Sequence, residues 1–442
     1  MKNRFGGILY MNLNIRKKAM AAGLSALLLM TGCAGKTGGN TVPLKNDPAI
    51  KAELDLDKIK DQKFDEKKLN DEYGRYSFDL MKQIASDAEK NCNIMVSPAS
   101  IMMALDMCAA GAKGETLKQL SDLFAKDTDP LQQQAFASEM MKRINNSQKI
   151  QFNCANAVWS NDIYLNGKVN AAYTDYIRKT FGAEFNAAKF TSGTHEEINK
   201  WVDGKTNHMI PKLLDDPLDP LTVMVLVNAI RFEAQWAKGY QDSQVRKMKF
   251  KGVDGEADAD MLTSVEKAYF ESDKATGFIK YYEGEEYAFV AILPKDEKAD
   301  ANDFMKHFTY DDYKKFISSR SDADVRAVMP EFKADYGNLL NETVRKLGVT
   351  DAFDPKKADF SGIADTSNGN FYISKIIHKT HIEVDRKGTK AAAATAVTVK
   401  TESAMIPAQK IKEVICDRPY CYAIVDTVSM NPIFIGTVNN VV

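Results

Sequence analysis

The spacing of apolar residues along the chain predicts a body that mixes helices with strands. Apolar residues recur at helical spacing over residues 78–84 and again over 100–112, where Ser97-Pro98 is a typical helix start. Dense runs of Val, Ile, Leu and Phe at 222–232 and 287–293 indicate buried strands instead. The pattern therefore predicts the α+β class, with at least one large sheet.

The clearest alternation runs from residue 376 to 385 and predicts a strand with one buried face. One side carries Ile376, His378, Thr380, Ile382 and Val384, and the other carries Lys379, His381, Glu383 and Asp385. Two further strands are predicted at 420–425 and 433–438. Because His378 and His381 fall on opposite faces, they are not expected to share a metal ion.

Residues 389–406 contain neither glycine nor proline and include a run of four alanines. With a period of two, one face is small or β-branched throughout and comprises Thr389, Ala391, Ala393, Thr395, Val397 and Val399. Lys390 and Lys400 fall on the other face. An exposed segment of this composition is prone to aggregate, so we infer that the protein uses it as a strand that pairs later.

The bulk composition is that of a globular body with a substantial core. The chain has 442 residues, of which 44% are hydrophobic and 27% charged. Its formal net charge of −1 argues against nucleic acid as a partner. No long linker or repeat interrupts the sequence after about residue 71, so one domain is predicted at 71–442.

The N-terminus has the features of an export signal. Three basic residues at 16–18 precede an apolar run that is followed by Thr31-Gly32-Cys33. Leu29-Met30-Thr31-Gly32-Cys33 resemble a lipobox, which implies a signal peptide at 1–33 and acylation of Cys33. A stretch rich in Lys, Asp and Gly predicts a flexible tether at 34–70. We expect an exported outer-membrane lipoprotein, on the periplasmic or cell-surface side, that meets the membrane only through this anchor.

The remaining chemical signals point away from an enzyme. Five cysteines follow Cys33 without any C-x-x-C spacing, which indicates buried structural thiols. Residues 264–267 match S-x-x-K but lack the partner motifs of a penicillin-binding enzyme. The chain has no G-x-S-x-G, no P-loop and no dinucleotide fingerprint. Neither a cofactor nor a metal is expected.

Seven blocks of sequence, in the right order, resemble the serpin family from about residue 71 to the C-terminus. The most specific is His378-Lys379 followed by Gly388 to Thr395, which resembles the serpin hinge. The other blocks are Asn93–Ile101 with Gly111–Thr116, Ile198–Val202, Leu226–Phe232 with Trp236, Met329–Phe332, Asp417–Tyr420 and Ile433–Gly436. The resemblance implies three β-sheets, eight or nine helices and an exposed reactive-centre loop between about Gly388 and Pro407.

The resemblance also implies a function. A target protease cuts the loop and forms an acyl-enzyme, and the cleaved loop inserts into the main sheet before water releases the protease. The chain is therefore expected to be a monomeric inhibitor of serine endopeptidases, with cysteine endopeptidases as further targets. The alternative is a non-inhibitory serpin that acts as a binding or chaperone-like protein. The small inward face of the hinge favours the inhibitor.

Particular residues receive roles from the resemblance. The hinge comprises Gly388, Thr389, Lys390, Ala391, Ala392, Ala393, Ala394 and Thr395. Counting from Gly388 by the family spacing places the cut at Glu402-Ser403, which suits a glutamyl-preferring protease. The bond Lys400-Thr401 suits a trypsin-like protease instead, and a slip in the count would reach Met405-Ile406. Subtilisin-like proteases complete the candidate targets.

A polar cluster beneath the parting strands is also implied. Ser97, Ser100, Asn228 and His378 resemble the family's shutter, whose hydrogen bonds exchange when the sheet opens. The other interpretation is a satisfied core histidine with helix-capping serines. Arg386 stands where serpins usually carry Glu, so the usual ion pair at the top of the sheet is expected to be absent or reversed in sign.

Overall fold

The computed structural model describes residues 56–166, 169–366, 371–389 and 411–441. Within them the chain forms ten α-helices: α1 (Leu56–Asp61), α2 (Glu66–Asp87), α3 (Pro98–Gly111), α4 (Gly114–Phe124), α5 (Pro130–Asn146), α6 (Ala171–Phe181), α7 (Thr194–Lys205), α8 (Ala301–His307), α9 (Tyr310–Ser318) and α10 (Asn341–Lys346). The helices α1 and α10 have six residues each, and they take the total above the eight or nine helices expected.

The described residues also form fifteen strands. They are β1 (Met95–Val96), β2 (Ile150–Asn161), β3 (Glu184–Ala188), β4 (Met224–Gln235), β5 (Val245–Gly252), β6 (Gly255–Glu271), β7 (Ala275–Tyr281), β8 (Tyr287–Pro294), β9 (Ser321–Pro330), β10 (Phe332–Leu339), β11 (Ile373–Val384), β12 (Gly388–Thr389), β13 (Lys412–Ile415), β14 (Tyr420–Asp426) and β15 (Pro432–Val438). The architecture is α+β, as predicted.

Six strands form what we call the main sheet, in the order β10-β11-β12-β4-β2-β3. Strand β4 is buried over its first nine residues. Its side chains alternate between two cores: Leu226 packs in the larger one, and Val227 packs with Ile198 of α7 on the opposite face. Because both faces are covered, β4 is mostly apolar in sequence, and the buried polar residues Asn228 and Arg231 interrupt the run.

The other nine strands share one hydrogen-bonded network, which is two sheets joined by a single long strand. Strand β6 has 17 residues. Its first part pairs with β5 and β9, and its last three residues pair with β7. Strands β5, β6, β9 and β13 therefore form one sheet, while β6, β7, β8, β14, β15 and β1 form the other. Together with the main sheet they are the three sheets expected.

Helix α3 lies at the centre of the molecule, and all 14 of its residues are buried. Apart from Ser100 and Asp106 it is apolar on all sides, because it contacts β15 on one side and β4 of the main sheet on another. The side chain of Ser97 accepts a hydrogen bond from the backbone N–H of Ser100 and so caps the helix, as predicted. Among the described residues, no helix combines the length and apolarity that crossing a bilayer requires.

The folded body begins before residue 71, which corrects part of the predicted tether at 34–70. Residues 56–61 form α1, and α2 starts at Glu66. Ile59 and Leu69 are buried, and the ring of Phe64 packs edge-on against Phe136 of α5. These widely spaced apolar residues give no periodic signal in a charged stretch, so only their tertiary contacts reveal them. Residues 34–55 lie outside the described part of the chain.

Candidate functional site

The middle of the main sheet is a parallel pair of strands that have no third strand between them for most of their length. Strands β4 and β11 pair directly from Met224 and Ile373 to Arg231 and His381, a pairing we call the central seam. At one end the two-residue strand β12 lies between them and pairs antiparallel with both. The sheet is thus closed along the seam and opened only at the hinge end.

Gly388 is required where the chain enters this opening. A Cβ atom at this position would lie 2.1 Å from the carbonyl oxygen of Ala234 on β4. The turn that delivers it is held by Asp385, whose side chain accepts hydrogen bonds from the backbone N–H groups of Lys387 and Gly388. The indole of Trp236 donates to the Asp385 carbonyl at 2.9 Å. The hinge therefore starts from a defined position.

Thr389 faces the interior of the protein. Its side chain is fully buried, and its hydroxyl lies 2.7 Å from the hydroxyl of Tyr282. The ring of Tyr282 stacks on Trp236 with 4.5 Å between ring centroids. Burial raises the pKa of Tyr282, so its hydroxyl stays protonated. This contact places the side chain of Thr389, the first residue of the predicted small face, in the interior of the protein.

A buried ion pair lies in the same region of the core. Lys280 of β7 donates to Glu266 of β6 at 2.9 Å, and its ammonium group also lies over the rings of Tyr240 and Trp236. Burial lowers the pKa of Lys280. The carboxylate and the aromatic faces compensate the buried charge. Sequence reasoning did not identify these residues, because their role depends on two strands meeting side by side.

Arg386 forms an ion pair whose sign is opposite to the usual one, which was one of the two expected outcomes. Its side chain donates to Glu331 at 3.1 Å, and its backbone N–H donates to the same carboxylate oxygen. A second contact joins Arg386 to Asp242 at 3.2 Å. These hydrogen bonds raise the pKa of Arg386. The hinge is tied in this way to the junction of β9 and β10.

The predicted polar cluster is assembled at the middle of the central seam. His378 of β11 and Asn228 of β4 are directly paired residues. The Nδ1 atom of His378 lies 2.5 Å from the side-chain oxygen of Asn228, while its Nε2 atom lies 3.4 Å from the backbone N–H of Ser97. Nε2 must accept from that N–H, so Nδ1 carries the proton and donates to Asn228. Burial lowers the pKa of His378 to about 3, and the ring is neutral.

The serines join this cluster to helix α3. The amide of Asn228 donates to the hydroxyl of Ser100 at 2.5 Å, and the hydroxyl of Ser97 donates to a backbone carbonyl of β15 at 2.8 Å. Two further members come from β2. The side-chain oxygen of Asn156 accepts from Asn228 at 2.6 Å, and the thiol of Cys154 lies 3.1 Å from Ser100. Sequence reasoning missed both, because Asn156 is one of several polar residues along β2 and nothing in the sequence sets it apart from the others.

The remaining predicted residues fall into two groups. Cys33, the hinge residues from Lys390 to Thr395 and both candidate bonds at 400–403 lie outside the described part of the chain. His381 is described, and it pairs with Asp335 at 2.7 Å on the face opposite His378. All five cysteines of the described residues have free thiols, and Cys108, Cys416 and Cys421 among them are buried.

A comparison with known protein families identifies the family to which the chain belongs. The family described as "Serpin (serine protease inhibitor)" matches residues 71–441. This chain is a serpin. Iripin-5 from Ixodes ricinus is 31% identical to it over 383 residues, which cover 83% of this chain and 93% of the relative. Leukocyte elastase inhibitor A from Mus musculus is 29% identical over 369 residues, covering 80% and 95%.

Among solved structures, this serpin resembles tengpin, a thermophilic serpin known in two states. The native state of tengpin matches with a TM-score of 0.76 over 90% of this chain and 97% of that one. Its latent state matches with a TM-score of 0.72 over 86% and 100%. Sequence identity is 35% in both cases.

Proposed function

We propose that this serpin inhibits serine endopeptidases, with cysteine endopeptidases as further targets, by inserting its cleaved loop into the central seam. The observation that carries the proposal is the position of β12. It already lies between β4 and β11 and pairs antiparallel with both. Insertion therefore continues an arrangement that exists, replacing one parallel ladder by two antiparallel ones.

The register of β12 supports the choice of inward residues. Thr389 pairs with Ala234 of β4, and each further residue of an antiparallel strand would move one position back along β4. Ala391 would then meet Phe232, a fully buried position. Only a small side chain fits there without displacing the core. The alanine-rich face of the loop suits this requirement.

The same register links the loop to the shutter. Continued along β4, it brings Thr395 to the level of Asn228 and His378. A strand at that level separates the two residues, so their hydrogen bond must break. The hydroxyl of Thr395, on the inward face, would offer both a donor and an acceptor in its place. The shutter would thus exchange one hydrogen bond for others as the sheet opens.

The far end of the seam bears on which bond is cut. The register brings Val399 level with Met224, the first residue of β4. Lys400 and Glu402 then lie one and three residues beyond the sheet, about 3 and 10 Å of extended chain. Met405 lies six residues beyond it, about 20 Å, which would leave the protease far enough away to keep its structure. We therefore favour Lys400-Thr401 or Glu402-Ser403.

The test is to incubate the purified full-length protein with trypsin, a subtilisin and a glutamyl endopeptidase. We expect at least one adduct that survives boiling in detergent, and the mass of the released C-terminal peptide identifies the bond. Clean cleavage by every protease, without any adduct, would favour the binding or chaperone-like alternative.

We also propose that the protein is exported and anchored through an acylated Cys33. The support is the lipobox-like sequence, Leu29-Met30-Thr31-Gly32-Cys33, after a basic and an apolar stretch. Cells fed radiolabelled palmitate should label the wild-type protein and fail to label Cys33→Ala. Equal labelling of both would exclude this anchor.

A further inference from the structure

Two carboxylates flank the point at which β12 ends between β4 and β11. Thr389 pairs with Ala234 of β4 and with Val384 of β11, and the next residues along the two strands are Glu233 and Glu383. Thr389 faces the interior of the protein, and side chains alternate along a strand, so both glutamates lie on the opposite face of the main sheet. We call Glu233 and Glu383 the glutamate pair.

The glutamate pair is partly buried, and each carboxylate is held in place by a cation. Arg231 donates to the Oε2 atom of Glu233, and the ammonium group of Lys333 lies 2.6 Å from the Oε1 atom of Glu383. These closest contacts engage one oxygen of each carboxylate, which leaves the other with acceptor capacity. Partial burial also reduces the screening of their charge by solvent. The pair is therefore suited to bind one more cation between its members.

The register of β12 determines which loop residue meets the glutamate pair. The residue after Thr389 is Lys390. An antiparallel strand continued at this register places Lys390 opposite Glu233 on one side and opposite Glu383 on the other. Directly opposite residues share a face, with Cβ atoms about 5 Å apart, a distance that a lysine side chain spans. An inserted Lys390 would thus have a carboxylate on each side.

We propose that Lys390 is a positioning residue for insertion, whose ammonium group binds the glutamate pair as the first step of loop entry. This inference rests on the proposed function. Lys390 directly follows the last residue already paired within the sheet, so it enters before the rest of the loop. The contact also fixes the register. A slip of one residue would turn the lysine toward the core, where an unpaired charge is costly to bury.

The step that competes with insertion is hydrolysis of the acyl-enzyme. A water molecule attacks the ester carbonyl, the bond to the protease serine breaks, and the serine recovers its proton while the cut serpin leaves as a carboxylic acid. The number of serpin molecules cut for each protease trapped therefore measures insertion against hydrolysis. A contact that favours the first inserted residue lowers this number.

The test is the full-length variant Lys390→Glu, which places a third carboxylate between the members of the glutamate pair. We expect about fivefold more serpin molecules to be cut for each protease trapped, because two attractive cross-strand pairs become repulsive. The difference from the wild type should shrink as the ionic strength rises. Trapping at the wild-type ratio would overturn the proposal.

Lys387→Glu is the matched control, because it changes the net charge by the same amount. Lys387 is exposed and lies in the turn before β12, outside the strand that would insert. This variant should trap the protease as the wild type does. Equal losses in the two variants would show that the overall charge near the loop, and not the contact with the glutamate pair, controls trapping.

A rescue experiment tests whether Lys390 acts through the glutamate pair. In the background Glu233→Gln/Glu383→Gln, which removes both carboxylates at nearly constant shape, Lys390→Glu should raise the ratio of cut to trapped molecules by less than about twofold. A fivefold rise in this background would contradict the role of the pair. If the double background folds poorly, Glu383→Gln alone should still reduce the effect of Lys390→Glu, and an unchanged effect would count against the pair.

A further measurement separates this inference from the proposed function. Absence of any adduct with the wild type would contradict the proposed function, and insertion can then be followed without trapping. The midpoint of thermal unfolding should rise less on loop cleavage for Lys390→Glu than for Lys387→Glu, because the inserted glutamate is repelled on both sides. Equal rises in the two variants would overturn the inference.

Discussion

His378 is the side chain whose protonation most directly opposes the closed sheet. Burial lowers its pKa to about 3, against an ordinary value of 6.5, and the native state holds it neutral. The unfolded chain therefore binds the proton first as the pH falls. Above about pH 6.5 His378 is neutral in both states and costs the native state nothing. Between about pH 6.5 and about pH 3 the free energy of unfolding falls by about 1.4 kcal/mol per pH unit, because only the unfolded chain binds the proton.

We therefore predict that native protein converts to inserted or polymeric forms faster at pH 5.5 than at pH 8. Opening the seam at His378 frees the ring to take up a proton, so acid favours the opened state. The conversion can be followed by native gel electrophoresis. His378→Gln should lose most of this pH dependence, whereas His208→Gln, at an exposed histidine, should retain it. If His378→Gln still converts much faster at pH 5.5 than at pH 8, the pH dependence arises from other titratable groups.

Arg386 and Glu331 form an ion pair at the top of the sheet with the signs of the two charges reversed from the usual arrangement. We predict that Arg386→Glu and Glu331→Arg each lower the free energy of unfolding by about 1 kcal/mol, a small value because the arginine is 38% exposed. The swapped double variant should recover most of this loss. Denaturant unfolding of the four proteins forms a double-mutant cycle. Recovery should be incomplete, because Asp242 would face the new glutamate. Strictly additive losses would show that the pair contributes nothing.

At the scale of the element, the hinge strand is defined by its two faces. Thr389 is buried and faces inward, so Ala391 would also face inward and Ala392 outward. We predict that Ala391→Arg turns most molecules from inhibitor into cleaved substrate, because the side chain must enter a packed core at Phe232. Ala392→Arg is the matched control and should inhibit nearly as the wild type does. Stoichiometry titrations against the target protease measure both. Equal effects would show that the register is shifted by one residue.

The helices and strands that could be predicted from the sequence are those with a strong hydrophobic period. The predicted helix over 100–112 and the predicted strand over 376–385 agree with α3 and β11 to within three residues. The weak case is α1 and the start of α2, where charged residues dominate and burial rests on isolated apolar residues. Local patterns report one-sided burial, and they fail where a segment is anchored by only one or two side chains.

At the scale of the whole molecule, β4 and β11 pair directly, so the main sheet has one full-length strand fewer than it would have after loop insertion. We predict that cleavage of the loop raises the midpoint of thermal unfolding by more than about 10 °C, because insertion adds two antiparallel ladders to the sheet. Differential scanning calorimetry before and after limited proteolysis measures this change. Cleaved Ala391→Arg should show little increase. A wild-type midpoint that does not rise would mean that the native sheet is already the most stable form.

The sequence alone determined the class and the family resemblance, because these depend on local period and on motifs of a few adjacent residues. The resemblance also named Ser97, Ser100, Asn228 and His378, which the structure brings together. The sequence left the sign of the ion pair at Arg386 open and did not reveal Asn156, Cys154 or Tyr282. Each of these depends on a partner far away in the chain: Arg386 meets Glu331 across 55 residues, and Asn228 meets Asn156 across 72. Such contacts arise only when sheet register brings distant segments together, and that register is a property of the tertiary structure.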